Sequence, residues 1–168
     1  MATVQELLSD IKAATDRSSQ SNETAKSISV TNFFSTTPIL INELQDILKI
    51  LTSVCEQNGE CGTKDTSNTG ELECPPYSEN NQQAISNSFK GFVAVHRELL
   101  STLIGKHGLL EKTPFIQPLA QALRLLEGGW DTMAYGIIDV VPACAQVVTT
   151  SKVSLDACYE DALNTYNS

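Results

Sequence analysis

Two histidines, five cysteines and one pair of carboxylates are the side chains of this sequence with the most chemistry open to them. His96 follows Phe92 by one helical turn, within a stripe of Ile85, Phe89, Phe92, Leu99 and Leu103. An imidazole in such a place is either a core residue satisfied by a hydrogen bond or a polar handle inside a cavity. As a handle it would meet a ligand carboxylate or hydroxyl, or serve as a general base. Arg97 points to a different side and reads as solvated. His107 stands in Gly105-Lys106-His107-Gly108, where a basic turn before glycine fits ordinary helix-end chemistry. Glu127 and Asp131 lie a turn apart and flank Trp130. Paired carboxylates do acid–base work when their pKa values are pushed apart, but on a helix flank two solvated groups are the ordinary reading. Were His96 an acid or base, Glu127, Asp131 and Tyr135 would be its candidate partners.

The cysteines are Cys55, Cys61, Cys74, Cys144 and Cys158. They contain no C-x2-C pair, so no metal site is expected. Cys55, Cys61 and Cys74 flank or occupy one polar stretch and are disulfide candidates; a reducing compartment would leave them as thiols. Cys144 and Cys158 fall on one expected helix, where fourteen residues span roughly 21 Å, too far to bridge. The odd count leaves a free thiol or an intermolecular bridge, and so is compatible with a homodimer. Walker, dinucleotide, H-E-x-x-H and G-x-S-x-G patterns are absent, and no cofactor is expected. With 20 acidic against 11 basic residues the net charge is −9, which argues against nucleic acid and against docking to anionic membranes by charge. No apolar run approaches a membrane span. Met1-Ala2 leads directly into an amphipathic pattern, so no signal peptide is expected: the chain is either intracellular or the mature part of a secreted protein.

The elements that must position these groups are helical. Residues 1–168 read as one domain, an all-α bundle of about five antiparallel helices. Segment one runs from Thr3 to Ser29 with Val4, Leu7, Leu8, Ile11 and Ala14 on one face; past Thr15 the stripe fades through Ser18 and Asn22, and a bend or fraying is expected. Asn22-Glu23-Thr24 is the one glycan acceptor pattern, but Asn22 projects near the inner stripe. Val30 to Thr37 reads as a connector whose aromatics tuck into the bundle, with Thr37 as N-cap of a second helix from Pro38 to Glu56. A long Cys-containing loop over 57–77 follows, rich in Gly and Pro. Segment three runs from Ser78 to Ile104, segment four from Pro114 to Val141 and segment five from Ala143 to Tyr166. The short connections after segments three and four imply antiparallel neighbours. Tyr159 and Tyr166 read as core residues with their hydroxyls at the edge.

The stretch from Leu99 to Tyr166 resembles a known family. Leu99-Leu100-Ser101-Thr102-Leu103-Ile104-Gly105-Lys106-His107-Gly108 looks like a helix closed by a Lys-containing turn. Thr113-Pro114-Phe115-Ile116-Gln117-Pro118-Leu119 and Leu123-Arg124-Leu125-Leu126-Glu127 follow, and Ile137-Ile138-Asp139-Val140-Val141-Pro142 ends the leucine-rich helix. Together with the start, Thr3 to Ala14, these resemble the fungal hydrophobic surface-binding protein A and cell wall galactomannoprotein family. The Cys55–Cys74 loop departs from that pattern. The resemblance implies a secreted or wall-associated bundle that adheres to hydrophobic surfaces or carries a fatty acid between its helices. An apolar small molecule or hydrophobic surface is then the expected partner. Phe89, Phe92, Leu99, Leu119, Leu123, Leu126, Trp130 and Leu155 are the candidate lining, with His96 as handle. Three readings stand side by side: a binder of a fatty acid, lipid or apolar natural product; a surface-active protein without a cavity; and a cofactor-free enzyme of secondary metabolism using His96.

Overall fold

The computed structural model describes residues 3–59 and 77–167, the stretch 55–59 by its backbone alone. Five helices make up almost all of it: α1 (Val4–Ser27), α2 (Phe33–Gly59), α3 (Glu79–Leu110), α4 (Ile116–Val140) and α5 (Ala145–Asn167), the last preceded by a 3₁₀ turn, Pro142–Cys144. No strand occurs among the described residues. Cys61, Cys74 and most of the expected loop lie outside what is described, as does the side chain of Cys55; Cys144 and Cys158 are both unbridged.

Local chemistry sets the helix ends. Thr3 starts α1 with a capping box: its Oγ1 accepts from Glu6 N at 3.2 Å, and its own N donates to Glu6 Oε2 at 2.7 Å. The far end of α1 is closed by another helix. Lys106 Nζ, on α3, donates to the carbonyls of Lys26 at 2.9 Å and Ile28 at 2.7 Å. A cation on the last carbonyls satisfies groups that have no intrahelical partner. Lys106→Met is expected to cost about 1 kcal/mol and to speed amide exchange in the last turn of α1 ahead of the rest of that helix.

Several expected boundaries move. The first helix neither bends nor frays at Thr15: Ser18, Ser21, Asn22 and Ala25 are buried, and these small side chains form the seam against α3. Asn22 Oδ1 accepts from Thr102 Oγ1 at 2.7 Å, so the folded chain has no room for a glycan there. The second helix starts at Phe33, not Pro38, because Asn32 builds the preceding turn. Its Oδ1 accepts from Ser29 N at 2.7 Å, and its carbonyl accepts from Ser35 N and Thr36 N at 3.0 Å each. Pro38 therefore sits inside a helix, near enough to its start to be tolerated. Thr37 is not a cap but a buried position with an unpaired hydroxyl. Of the two connector aromatics Phe33 packs on the core, while Phe34 is 64% exposed. The third helix continues through Gly105 and Gly108 to Leu110: burial of Leu103 and Leu110 and the Lys106 bonds outweigh the roughly 1 kcal/mol that each glycine costs.

Consecutive helices alternate in direction, but their packing partners are not simply their neighbours in sequence. α1 packs on α2 and α3, α4 on α2 and α5, and α3 on α5, closing a ring; α3 and α4 share few contacts. Ser18 meets His96 and Asn22 meets Thr102, so α1 and α3 run parallel. Gln82 meets Ala143 and Leu103 meets Tyr166, so α3 and α5 do too. The antiparallel pairs are α1–α2, where Thr24 meets Glu43, and α4–α5, where Trp130 meets Asp156. All five helices turn an apolar stripe inward, and their buried residues form one cluster. No single helix among the described residues is long and apolar enough to cross a membrane.

Candidate functional site

The interior of the ring is aromatic. Trp130 of α4 stacks on Phe89 of α3 at 5.0 Å between ring centroids and lies against Phe92 at 5.4 Å. Phe92 stacks on His96 at 5.1 Å, and His96 lies against Tyr159 of α5 at 5.6 Å. The 3–4 spacing along α3 places its three rings on one face. Every expected lining residue is buried: Phe89, Phe92, Leu99, Leu119, Leu123, Trp130 and Leu155 at 0% exposure and Leu126 at 1%. The structure brings these residues together as a packed core.

His96 is fully buried, and both of its nitrogens are used. Nδ1 lies 2.9 Å from Ser18 Oγ and Nε2 lies 2.6 Å from Tyr159 Oη, joining α1, α3 and α5. One hydroxyl donates to the unprotonated nitrogen, and the N–H donates to the other hydroxyl. Burial holds the imidazole down to a pKa of about 3, so it is neutral at physiological pH. Burial likewise pushes the Tyr159 phenol well above its usual range, with Glu127 and Asp131 adding to the effect. Tyr166 is lifted by burial too, and its Oη donates to Leu103 O at 2.8 Å. Neither tyrosine hydroxyl ends at the edge of the core, as the sequence suggested.

The other acid–base candidates belong to a second cluster, on the α4–α5 seam. Lys152, 8% exposed, reaches Asp131 at 2.6 Å and Asp156 at 2.8 Å, and stands 4.9 Å over the Tyr135 ring. Asp156 also accepts from Trp130 Nε1 at 3.3 Å. Desolvation pulls the Lys152 ammonium down, but its hydrogen bonds to Asp131 and Asp156 outweigh that and hold it above its usual range. Glu127 stays outside this pairing. Partial burial raises its carboxyl, and Asp131, Asp156 and Glu160 raise it further. Asp131 is thus an ion-pair partner whose side chain stays 43% exposed, and Tyr135 is 58% exposed. None of the three makes a hydrogen bond or ring contact with His96. Lys152 and Asp156 escaped the sequence reading; a lysine at the inward spacing of Val148, Lys152, Leu155 and Tyr159 was the available signal.

Among the described residues, grooves lie outside the aromatic core. One of about 150 Å³ runs between 41–48 of α2 and 118–125 of α4. Another, more open and of about 500 Å³, lies beside Glu127, Asp156 and Glu160 on the α4–α5 face. Among the described residues no group of His, Cys, Asp and Glu is placed to hold a metal ion.

No family model and no curated protein matches the sequence. Among solved structures, the chain is similar to the Aspergillus fumigatus mannoprotein AfMP4p, determined in complex with palmitic acid. The TM-score is 0.84 at 10% sequence identity, over 98% of this chain and 99% of that one. At that identity the two share a fold, the all-helical bundle.

Proposed function

We propose that this protein is a non-enzymatic carrier that holds a long apolar molecule of the fatty-acid class between its helices. The observation that carries the reading is the shared fold, along almost the whole of both chains, with a protein solved with palmitic acid bound. Two features of the ring support it. Its helices meet along aromatic and aliphatic faces, so a gap between two of them is apolar, which suits an acyl chain. The groove between α2 and α4 is such a gap, walled by Ile41, Leu44, Leu48, Pro118, Ala122 and Leu125. By the same likeness the protein is read as secreted or wall-associated.

Delipidated protein should take up radiolabelled palmitic acid saturably. Absence of saturable uptake of any apolar ligand sinks the reading. Exposed Val30, Phe34 and Ile39 favour surface adhesion as a second reading. Adhesion without uptake would show as adsorption to polystyrene by protein that leaves palmitic acid in solution. The acid–base reading of His96 draws less support, because both ring nitrogens are spent within the protein.

A further inference from the structure

We propose that the seam between α2 and α4, not the aromatic interior, is where a linear acyl chain lies. The proposal rests on the carrier reading and adds the place and the shape of the ligand. The groove there has walls of Ile41, Leu44 and Leu48 on α2 and Pro118, Ala122 and Leu125 on α4. Leu44 and Ala122 are buried, so the floor of the groove is the outer skin of the core. Its lower end is set by Gly129, where an added Cβ would stand 2.8 Å from Leu48 Cδ1. With no side chain at Gly129, the two helices close on each other below the groove.

Size and charge together select the occupant. An apolar cavity of about 150 Å³ holds a benzene-sized body, or about six chain carbons, so a broad polycyclic ligand does not fit. A longer chain needs an apolar track beyond the groove, and one is present. Phe34 lies on the same face of α2 as Ile41, Gln45 and Leu48, by spacings of seven, four and three. Its ring meets Phe115, one turn before Pro118, edge-on at 5.7 Å. The track carries no charge: residues 27–42 and 113–123 contain no Asp, Glu, Lys or Arg in a chain of net charge −9. On the groove's own segments Glu43 is buried, Asp46 is paired with Arg17 and Lys49, and Arg124 is engaged with Asn167, so the walls themselves are uncharged and match an uncharged chain better than a charged peptide. Gln45 and Gln121 put neutral amides at the exposed rim, where a polar head stays in water.

The test uses ¹⁵N-labelled full-length protein and stearic acid carrying a nitroxide near its methyl end. Amide signals of 41–48 and 119–125 should broaden, and those of Phe89, Phe92 and the Trp130 indole should broaden less. Gln45→Trp, an exposed change that fills the groove, should weaken uptake of radiolabelled palmitic acid about tenfold while the helical circular dichroism stays the same. Broadening centred on Phe92 and Trp130, with Gln45→Trp binding normally, overturns the seam and leaves the carrier reading intact. Absence of both broadening and uptake overturns the carrier reading and the seam with it. Seam signals that shift on dilution of ligand-free protein overturn the acyl chain in favour of a second copy of the chain.

Discussion

Trp130→Ala is expected to lower the unfolding free energy by about 3–5 kcal/mol, the largest loss from any single core truncation in this protein. The indole is fully buried and lies against two other rings, so its removal opens a void that three helices must either tolerate or close. Collapse is hard, because Phe89 and Phe92 share α3 with His96, whose two hydrogen bonds fix the register of α3 against α1 and α5. The change also removes the N–H that Asp156 accepts at 3.3 Å. Asp156 keeps Lys152, so that part of the loss is small beside the cavity. Urea unfolding followed by circular dichroism measures the effect. Trp130→Phe should recover more than half of it, since a phenyl ring restores the stacking. A loss under about 1 kcal/mol for the alanine variant would mean that the aromatic stack is not the mechanical centre of the bundle.

How far that centre could be read beforehand depends on distance along the chain. Phe89, Phe92 and His96 share a helix and a face, and the period of apolar residues is enough to place them together. Leu119, Leu123, Leu126 and Trp130 are equally plain on α4. The relay is a different matter: Ser18 and Tyr159 are 78 and 63 residues from His96, and no local pattern joins them. Ser18 continues the spacing of Leu7, Ile11 and Ala14, yet a serine there reads as the end of a stripe. Only the close approach of α3 makes it a buried partner. The short link after α3 misled for a related reason, while the one after α4 does join packed antiparallel helices. A short link makes consecutive helices antiparallel, but it does not make them pack along their lengths, and here α3 lies between α1 and α5. The grooves were not legible at all, since they arise where two helices stand slightly apart, and Gly129 matters only once Leu48 faces it.

One part of the acid response of the protein should trace to His96. In the folded chain its pKa is about 3, against an ordinary value of 6.5, because a charged imidazole would have to be desolvated completely. The sign follows from which state binds the proton. Above pH 6.5 both states carry a neutral ring, and the stability is fully present. As pH falls from 6.5 towards 3 the unfolded chain takes up a proton that the folded chain refuses, so stability is lost across that window. At 1.36 kcal/mol per unit the loss reaches roughly 4 kcal/mol near pH 3. His96→Gln keeps a donor and an acceptor between Ser18 and Tyr159 but does not titrate. It should be less stable than the parent at pH 7.5, and its stability should fall much less between pH 6.5 and 4. Glu127 and Asp10, whose carboxyls burial raises, act with the opposite sign, while Glu6 and Asp46, whose carboxyls hydrogen bonds hold down, act with the same sign as His96. They are common to both proteins and cancel in the difference. Urea midpoints measured at half-unit steps of pH give the comparison. Parallel curves for parent and variant would show that the imidazole admits a proton without unfolding, and the relay would then have to be a solvated site rather than a sealed one.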